Sequence, residues 1–505
     1  MRTDFDIYRY ATVNSYCTQN KKMGLKEDDT TLRYRRAQSV TTAEDITEKE
    51  KKARRSQFDK PCHKPRDSLF SWSSKFTNFT GLVNWGFLML TISGLRLCLE
   101  NFLKYGIRVN PFEWVIVLTG YNEDYNHQYP SVILLIFSGV IPIVCLLVEK
   151  AIAANVISDR VGGTIQILII LFEISLPVIA LNLTNQEFNI VGISTVCMVY
   201  LILFLKLWSY CQTNHWCRLA AKGNHSNSMR RQSLSMPNCN ELDIADCDQN
   251  LDNDVTTGIV QYPDNLSLKD LFYFLLAPTL CYELNFPRTT RIRKRFLIKR
   301  IVEVIFGVNL VMALFQQWMI PAVQNALDPF SQMDYVRIVE RLLKLAVPNH
   351  LLWLCFFYLT FHSFLNLMGE LLHFADRNFY GDWWNAKNIS IFWSSWNMPV
   401  HIWAVRHVYV PVTNMGYSKG VSAILVFFIS AFFHEYVVSV PLQMFRVWAF
   451  LGMMAQPPLA VISKVFEQRL GDRWGNMVVW ASLILGQPLA IMMYYHDYAV
   501  AHFNS

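Results

Sequence analysis

Apolar residues run in long blocks along this chain, and short polar or basic stretches separate them. A bilayer hydrocarbon core about 30 Å thick needs ~20 mostly apolar residues in a helix. The pattern predicts nine such helices, at about 82–103, 130–148, 164–183, 189–211, 301–320, 342–370, 421–445, 447–464 and 476–498. A further apolar stretch, 271-LFYFLLAPTLCYEL-284, is too short to cross and is broken by Pro278, so it reads as re-entrant or interfacial. The fold class is therefore an all-α polytopic membrane protein.

The polar blocks set the domain limits. Residues 1–65 mix both charges and bury too little apolar surface to fold alone, which predicts a disordered cytosolic tail. Residues 66–211 form a first transmembrane part of about four spans. Residues 212–265, rich in Asn, Ser and Asp, read as a flexible cytosolic linker. Residues 266–505 hold the re-entrant segment, a cytosolic 371–420 loop and about five spans. The stretch 286-FPRTTRIRKRFLIKR-300 carries seven Lys/Arg and no acid, which assigns it to the cytosol. Counting outward from it puts the N-terminus in the cytosol and the C-terminus in the lumen. By that topology the sequons at Asn78, Asn182, Asn224, Asn265 and Asn388 lie in cytosol or against membrane and carry no glycan.

Composition narrows the function classes. Only 17% of the 505 residues are charged, and the net charge of +7 is small for the size, with the basic residues where cytoplasmic loops need them. That excludes a nucleic-acid-binding face. Eleven cysteines, an odd number without a CxxC pair, argue against a disulfide framework and a zinc ribbon. Neither H-E-x-x-H nor a Cys/His cluster is present, so no metal site is expected.

Chemistry concentrates in two places. In 421-VSAILVFFISAFFHEYVVSVPLQMF-445, an apolar run leads into His434 and Glu435 near mid-bilayer depth. Ionisable groups there cost ~2–3 kcal/mol on insertion scales and normally face a bundle interior or a cavity. Polar glue between helices and a functional pair both remain open readings. Ser430 lies one turn before His434 on the same face, whereas Glu435 is rotated by about 100°, which suits it to orient or support rather than react. The second place is 379-FYGDWWNAKNISIFWSSWNMPVHIWAVRHVY-409, with nine aromatics, five of them Trp. Such a loop belongs at the headgroup level. Tyr380, Trp383, Trp384, Asn385, Trp396 and His401 are its candidate substrate-binding residues. Asn397 fits either an N-cap of a short helix or a substrate contact. The string 416-GYSKG-420 has the spacing of a nucleophile elbow, but that elbow needs an α/β sheet beneath it, so Ser418 is a weak nucleophile candidate.

The strings 379-FYGDWWN-385, 396-WNMPVHIW-403 and 432-FFHEY-436 resemble the membrane-bound O-acyltransferases, in the branch that holds diacylglycerol and sterol acyltransferases. The runs 278-PTLCYELNFPR-288 and 434-HEYVVSVPLQMFRVWAFLGMMAQ-456 look like those of the diacylglycerol-acylating members, and Ile402 stands where sterol-acylating members typically have an acid. The resemblance covers about residues 62–500. It implies about nine helices enclosing an intramembrane reaction chamber in the endoplasmic reticulum. The implied reaction moves a fatty acyl group from acyl-CoA to 1,2-diacylglycerol, with no cofactor because acyl-CoA is a co-substrate. It also implies a homodimer through the N-terminal region and a catalytic role for His434. Asn397, Glu435, Met453, Gln456 and, less closely, Gln487 correspond to residues around the family's reaction centre. A sterol or long-chain alcohol acyltransferase, and a lipid or proton-coupled transporter, are the alternative functions.

Overall fold

A computed structural model describes residues 80–110, 114, 130–183, 188–222, 260–325 and 335–503. The tail 1–65, most of the 212–265 linker, and the sequons at Asn78 and Asn224 lie outside the described residues. The chain divides into two units, 1–99 and 100–505. Helix α1 (Thr80–Tyr105) begins in the first unit, where Trp85, Phe87, Leu88 and Leu95 are exposed.

The second unit continues with α2 (Pro130–Phe137), α3 (Val140–Ala153), α4 (Asp159–Leu183), α5 (Ile190–Lys222) and the short α6 (Leu268–Leu276). Next come α7 (Lys294–Leu314), a π turn at Phe315–Met319 and α8 (Ile320–Gln324). Helix α9 (Tyr335–Phe357) passes through a second π turn (Tyr358–Phe364) into α10 (Leu365–Leu371). The cytosol-assigned loop folds as a 3₁₀ turn (Trp383–Asn385), α11 (Ile389–Ser395), α12 (Met398–Ala404), a third π turn (Val405–Tyr409) and α13 (Val410–Asn414). The chain ends with α14 (Lys419–Leu442), α15 (Trp448–Met454), α16 (Gln456–Leu470) and α17 (Asp472–Phe503).

The fold is all-α, and no strand occurs among the described residues; an isolated bridge joins Arg288 to Phe374. Eight described helices are long and apolar enough to cross a membrane. They account for every expected span except 301–320. That segment is helical, but Lys294, Arg295, Lys299, Arg300 and Glu303 crowd the first turns of α7, and it is absent from the eight. Helix α5 also runs past the expected start of the linker to Lys222. Its polar end is held because Glu149, wholly buried on α3, accepts from Arg218, Gln166 (2.7 Å) and Tyr262 (3.1 Å). A buried charge satisfied on all sides avoids the desolvation penalty of an unpaired one.

The two larger of four apolar clusters among the described residues follow from this order. One joins α3, α4, α5 and α6 to α14 through Leu146, Ile170, Tyr200, Leu207, Phe274 and Tyr436. The other packs Phe357 and Phe361 against Trp383, Ile389, Phe392 and Val479. Short polar residues cap the loop helices: Asn388 starts α11, Asn397 starts α12 and Ser418 starts α14, each side chain accepting a backbone N–H. Ser418 is thus an N-cap after the left-handed Gly416 (φ +95°), without the strand an elbow requires. Helix α14 stops right after Pro441, at Gln443 in the left-handed region.

Candidate active site

His434 sits in the middle of α14, and its hydrogen bonds stay within that helix. Nδ1 lies 2.7 Å from the Ser430 carbonyl and 3.4 Å from the Ser430 hydroxyl. A carbonyl oxygen only accepts, so Nδ1 carries the hydrogen and Nε2 holds the lone pair. Nε2 has no hydrogen-bond partner among the described residues, and the residue keeps accessible surface although it lies deep among protein atoms. The tautomer a general base needs is therefore set by one turn of helix.

The two faces of α14 differ. Phe427 and Ser430 share the His434 face, and the Phe427 ring meets the Trp393 ring edge-on at 6.3 Å. The Trp393 indole donates to the Gln456 amide oxygen (3.2 Å), so that face points toward α11 and the start of α16. The opposite face, through Phe428, Ile429, Phe432 and Phe433, lines an apolar cavity of about 280 Å³ shared with Phe204 and Trp208 of α5. This cavity is not the expected chamber around His434, because 100° per residue turns Phe432 and Phe433 away from the histidine.

Glu435 is buried and fully engaged. Its carboxylate accepts from Ser439, from the Val447 and Phe450 backbone N–H groups (3.0 Å each) and from the Tyr494 hydroxyl (2.8 Å). It therefore closes the turn from α14 into α15 and ties both to α17. That turn holds Gln443 and Val447 at positive φ, a costly conformation for a β-branched residue.

The loop residues divide by role in the same way. Asn397 accepts the Val400 N–H through its side-chain oxygen (3.2 Å), which leaves its amide nitrogen outside the cap bond. The His401 ring is half-buried, and burial lowers its pKa. Trp396 stacks with Phe392 and meets Phe361 edge-on, inside a cluster that also holds Trp353 and Trp383. Trp383 is buried with its indole N–H unpartnered, and Trp384 is exposed. The Tyr380 hydroxyl meets His362 Nδ1 at 2.7 Å, and Asn385 reaches Asp382 at 3.5 Å. The loop is clamped from α16 and α17: Ser463 accepts the Ile389 N–H, Glu467 accepts from Asn388, and Asn476 donates to the Trp384 and Ala386 carbonyls. Gly475 is required there, since a Cβ would collide with the Lys387 carbonyl.

Met453 is buried on α15. Gln456 also donates to the Gly452 carbonyl (3.2 Å), and Gln487 accepts from Asn349 (3.2 Å). No hydrogen bond joins His434 to Asn397, Gln456 or Gln487 among the described residues. No group of three or more His, Cys, Asp or Glu able to hold a metal occurs among the described residues. Sequence reasoning passed over Tyr494, Asn349 and His407; only their polarity inside or beside apolar runs could have drawn attention to them.

Residues 181–496 match the MBOAT, membrane-bound O-acyltransferase family. The chain belongs to this family. As a member of the membrane-bound O-acyltransferases it is a multi-pass membrane protein. It is 46% identical to diacylglycerol O-acyltransferase 1 of Homo sapiens over 88% of this chain and 85% of that protein. The same identity and coverage hold for diacylglycerol O-acyltransferase 1 of Chlorocebus aethiops. Diacylglycerol O-acyltransferase 1C of Glycine max is 34% identical over 86% of this chain and 79% of the relative.

Proposed function

We propose that this protein transfers a fatty acyl group from acyl-CoA to the hydroxyl of 1,2-diacylglycerol, releasing triacylglycerol and CoA. The observation that carries the reading is the Ser430 carbonyl holding the His434 Nδ1 hydrogen, which leaves a basic Nε2 in the middle of a membrane helix. The relatives' names support the choice of acceptor.

The chemistry follows from that lone pair. A neutral alcohol is a weak nucleophile, and Nε2 takes its proton as the oxygen attacks the thioester carbonyl. The tetrahedral oxyanion then collapses, the C–S bond breaks, and Nε2–H protonates the CoA thiolate. Asn397 is the preferred oxyanion donor, because its cap bond engages the oxygen and leaves the amide N–H₂ available. One such donor in a water-poor site is worth ~3–4 kcal/mol. Gln456, Met453 and Gln487 line the same reaction centre, with Ser430 beside the base and Glu435 holding the helix turn. Tyr380, Trp383, Trp384, Asn385, Trp396 and His401 form the face that receives the acyl-CoA. A site inside the bilayer suits acceptor and product, both hydrocarbon-soluble, while the polyanionic CoA head stays in the cytosol.

The reading calls for no resident cofactor. It places the protein in the endoplasmic reticulum membrane as a homodimer joined through its N-terminal region, with the N-terminus cytosolic and the C-terminus lumenal. The test is purified protein in lipid nanodiscs with labelled oleoyl-CoA and a panel of acceptors. Triacylglycerol is the expected product, and robust cholesteryl ester without triacylglycerol would overturn the acceptor assignment.

A further inference from the structure

The third π turn carries a histidine that the proposed chemistry does not use. His407 is 3% exposed and bonded at both ring nitrogens. Nδ1 lies 2.6 Å from Gln212 Oε1, and the Trp208 indole lies 3.0 Å from the same atom. An indole N–H only donates, so that atom is the amide oxygen, and the hydrogen on the His407 side belongs to Nδ1. Nε2 is then an acceptor, at 2.8 Å from the Ser209 hydroxyl. Ser209 in turn accepts the Tyr282 backbone N–H at 2.8 Å. The ring also stacks on Trp216, centroids 5.6 Å apart and 7° from parallel.

The imidazole therefore joins the α12–α13 helix to the α5 span, and through Ser209 the 281–284 strip is tied to the same point. The Trp403 indole adds a bond to the Leu205 carbonyl (2.9 Å). A π turn is an inserted residue in a helix, unfavourable by itself, and such turns concentrate at functional sites. Here the turn follows directly on α12, which Asn397 caps and which carries His401 as its fourth residue. Burial and the adjacent Arg406 hold the His407 pKa down at about 3, so the ring keeps one proton at neutral pH.

We propose that His407 is a positioning residue for acyl transfer: its paired bonds to Gln212 and Ser209 hold the π turn in register and so set α12, with Asn397 and His401, against the α5 span. This role rests on the acyltransferase reading above, and its test has an arm that does not.

The variant His407→Phe keeps the ring and its stacking but removes both bonds. The expected result is a kcat at least tenfold lower with KM for oleoyl-CoA within twofold, partly recovered in His407→Asn, whose amide still donates to Gln212. Backbone hydrogen exchange in the same preparations should quicken at Met398–Ala404. Should His407→Phe fold poorly, Gln212→Leu removes the bond from the partner's side and carries the same expectations. A kcat within twofold of the parent, or a loss that only follows the loss of folded protein and is not recovered by Asn, overturns the proposal. If the parent makes no triacylglycerol, the reaction assignment fails instead, and exchange alone decides: faster exchange at Met398–Ala404 supports the positioning role and unchanged exchange overturns it.

Discussion

Nδ1 of His434 lies 2.7 Å from the carbonyl oxygen of Ser430, one turn back on the same helix. This contact decides which nitrogen can act as a base without help from any other helix. Removing the ring should therefore remove the proton transfer and little else. His434→Ala is expected to lower kcat by ~10²–10⁴, the usual contribution of a positioned base, while acyl-CoA affinity stays within threefold. Single-turnover assays beside equilibrium binding of a non-hydrolysable acyl-CoA analogue measure both; near-normal turnover would refute the base assignment.

His434 was legible because an ionisable residue inside an apolar run is conspicuous by its cost. The caps made by Asn388 and Ser418 were not legible, since one stood out only as a sequon and the other only as an elbow serine, whereas Asn397 was legible as a cap by type and place. His407 was not, for its partners lie 195 and 198 residues away, and its segment reads as an interfacial loop. The continuation of α5 to Lys222 was hidden for a related reason. Arg218 looks like loop polarity until Glu149, 69 residues earlier, is seen to receive it. Local pattern reveals spans and caps, whereas long-range polar pairs leave no periodic trace.

Two functions of Asn397 can be separated by substitution. Asn397→Asp keeps an oxygen for the Val400 N–H and is at least as good a cap, but it has no amide hydrogens. Its folded stability should match the parent, with kcat down by ~10²–10³ if the amide stabilises the oxyanion. Asn397→Ala should add a stability loss of ~1 kcal/mol for the missing cap. Thermal unfolding and kcat measured together distinguish the pair; full activity in the Asp variant would assign Asn397 to capping alone.

The four donors on Glu435 make it intolerant of its own amide. In Glu435→Gln, one oxygen becomes an N–H₂ that must oppose an N–H or hydroxyl donor, at a cost of ~2–4 kcal/mol. Tyr494→Phe removes one of the four donors and also the acceptor of the Ala449 N–H (2.9 Å), and should cost ~1–2 kcal/mol. The expected order in detergent-solubilised melting is parent, then Tyr494→Phe, then Glu435→Gln. A Glu435→Gln protein as stable as the parent would show that the carboxylate does not hold the α14–α15 turn.

Acid should weaken the His407 clamp. Its pKa is about 3 in the folded chain, mainly through burial and secondarily through Arg406, against ~6.5 for an unfolded histidine. Above about pH 6.5 both states carry a neutral ring, and the clamp contributes in full. Below that value the unfolded chain binds a proton that the native ring refuses, so stability falls by ~1.4 kcal/mol per pH unit until about pH 3. Unfolding free energies at pH 7.0 and 5.5 should therefore drop more for the parent than for His407→Phe, by about 1–2 kcal/mol. The other histidines titrate in both proteins and cancel in the comparison. Equal drops in the two proteins would mean that the native ring accepts the proton readily, and that Gln212 and Ser209 do not enforce a single protonation state.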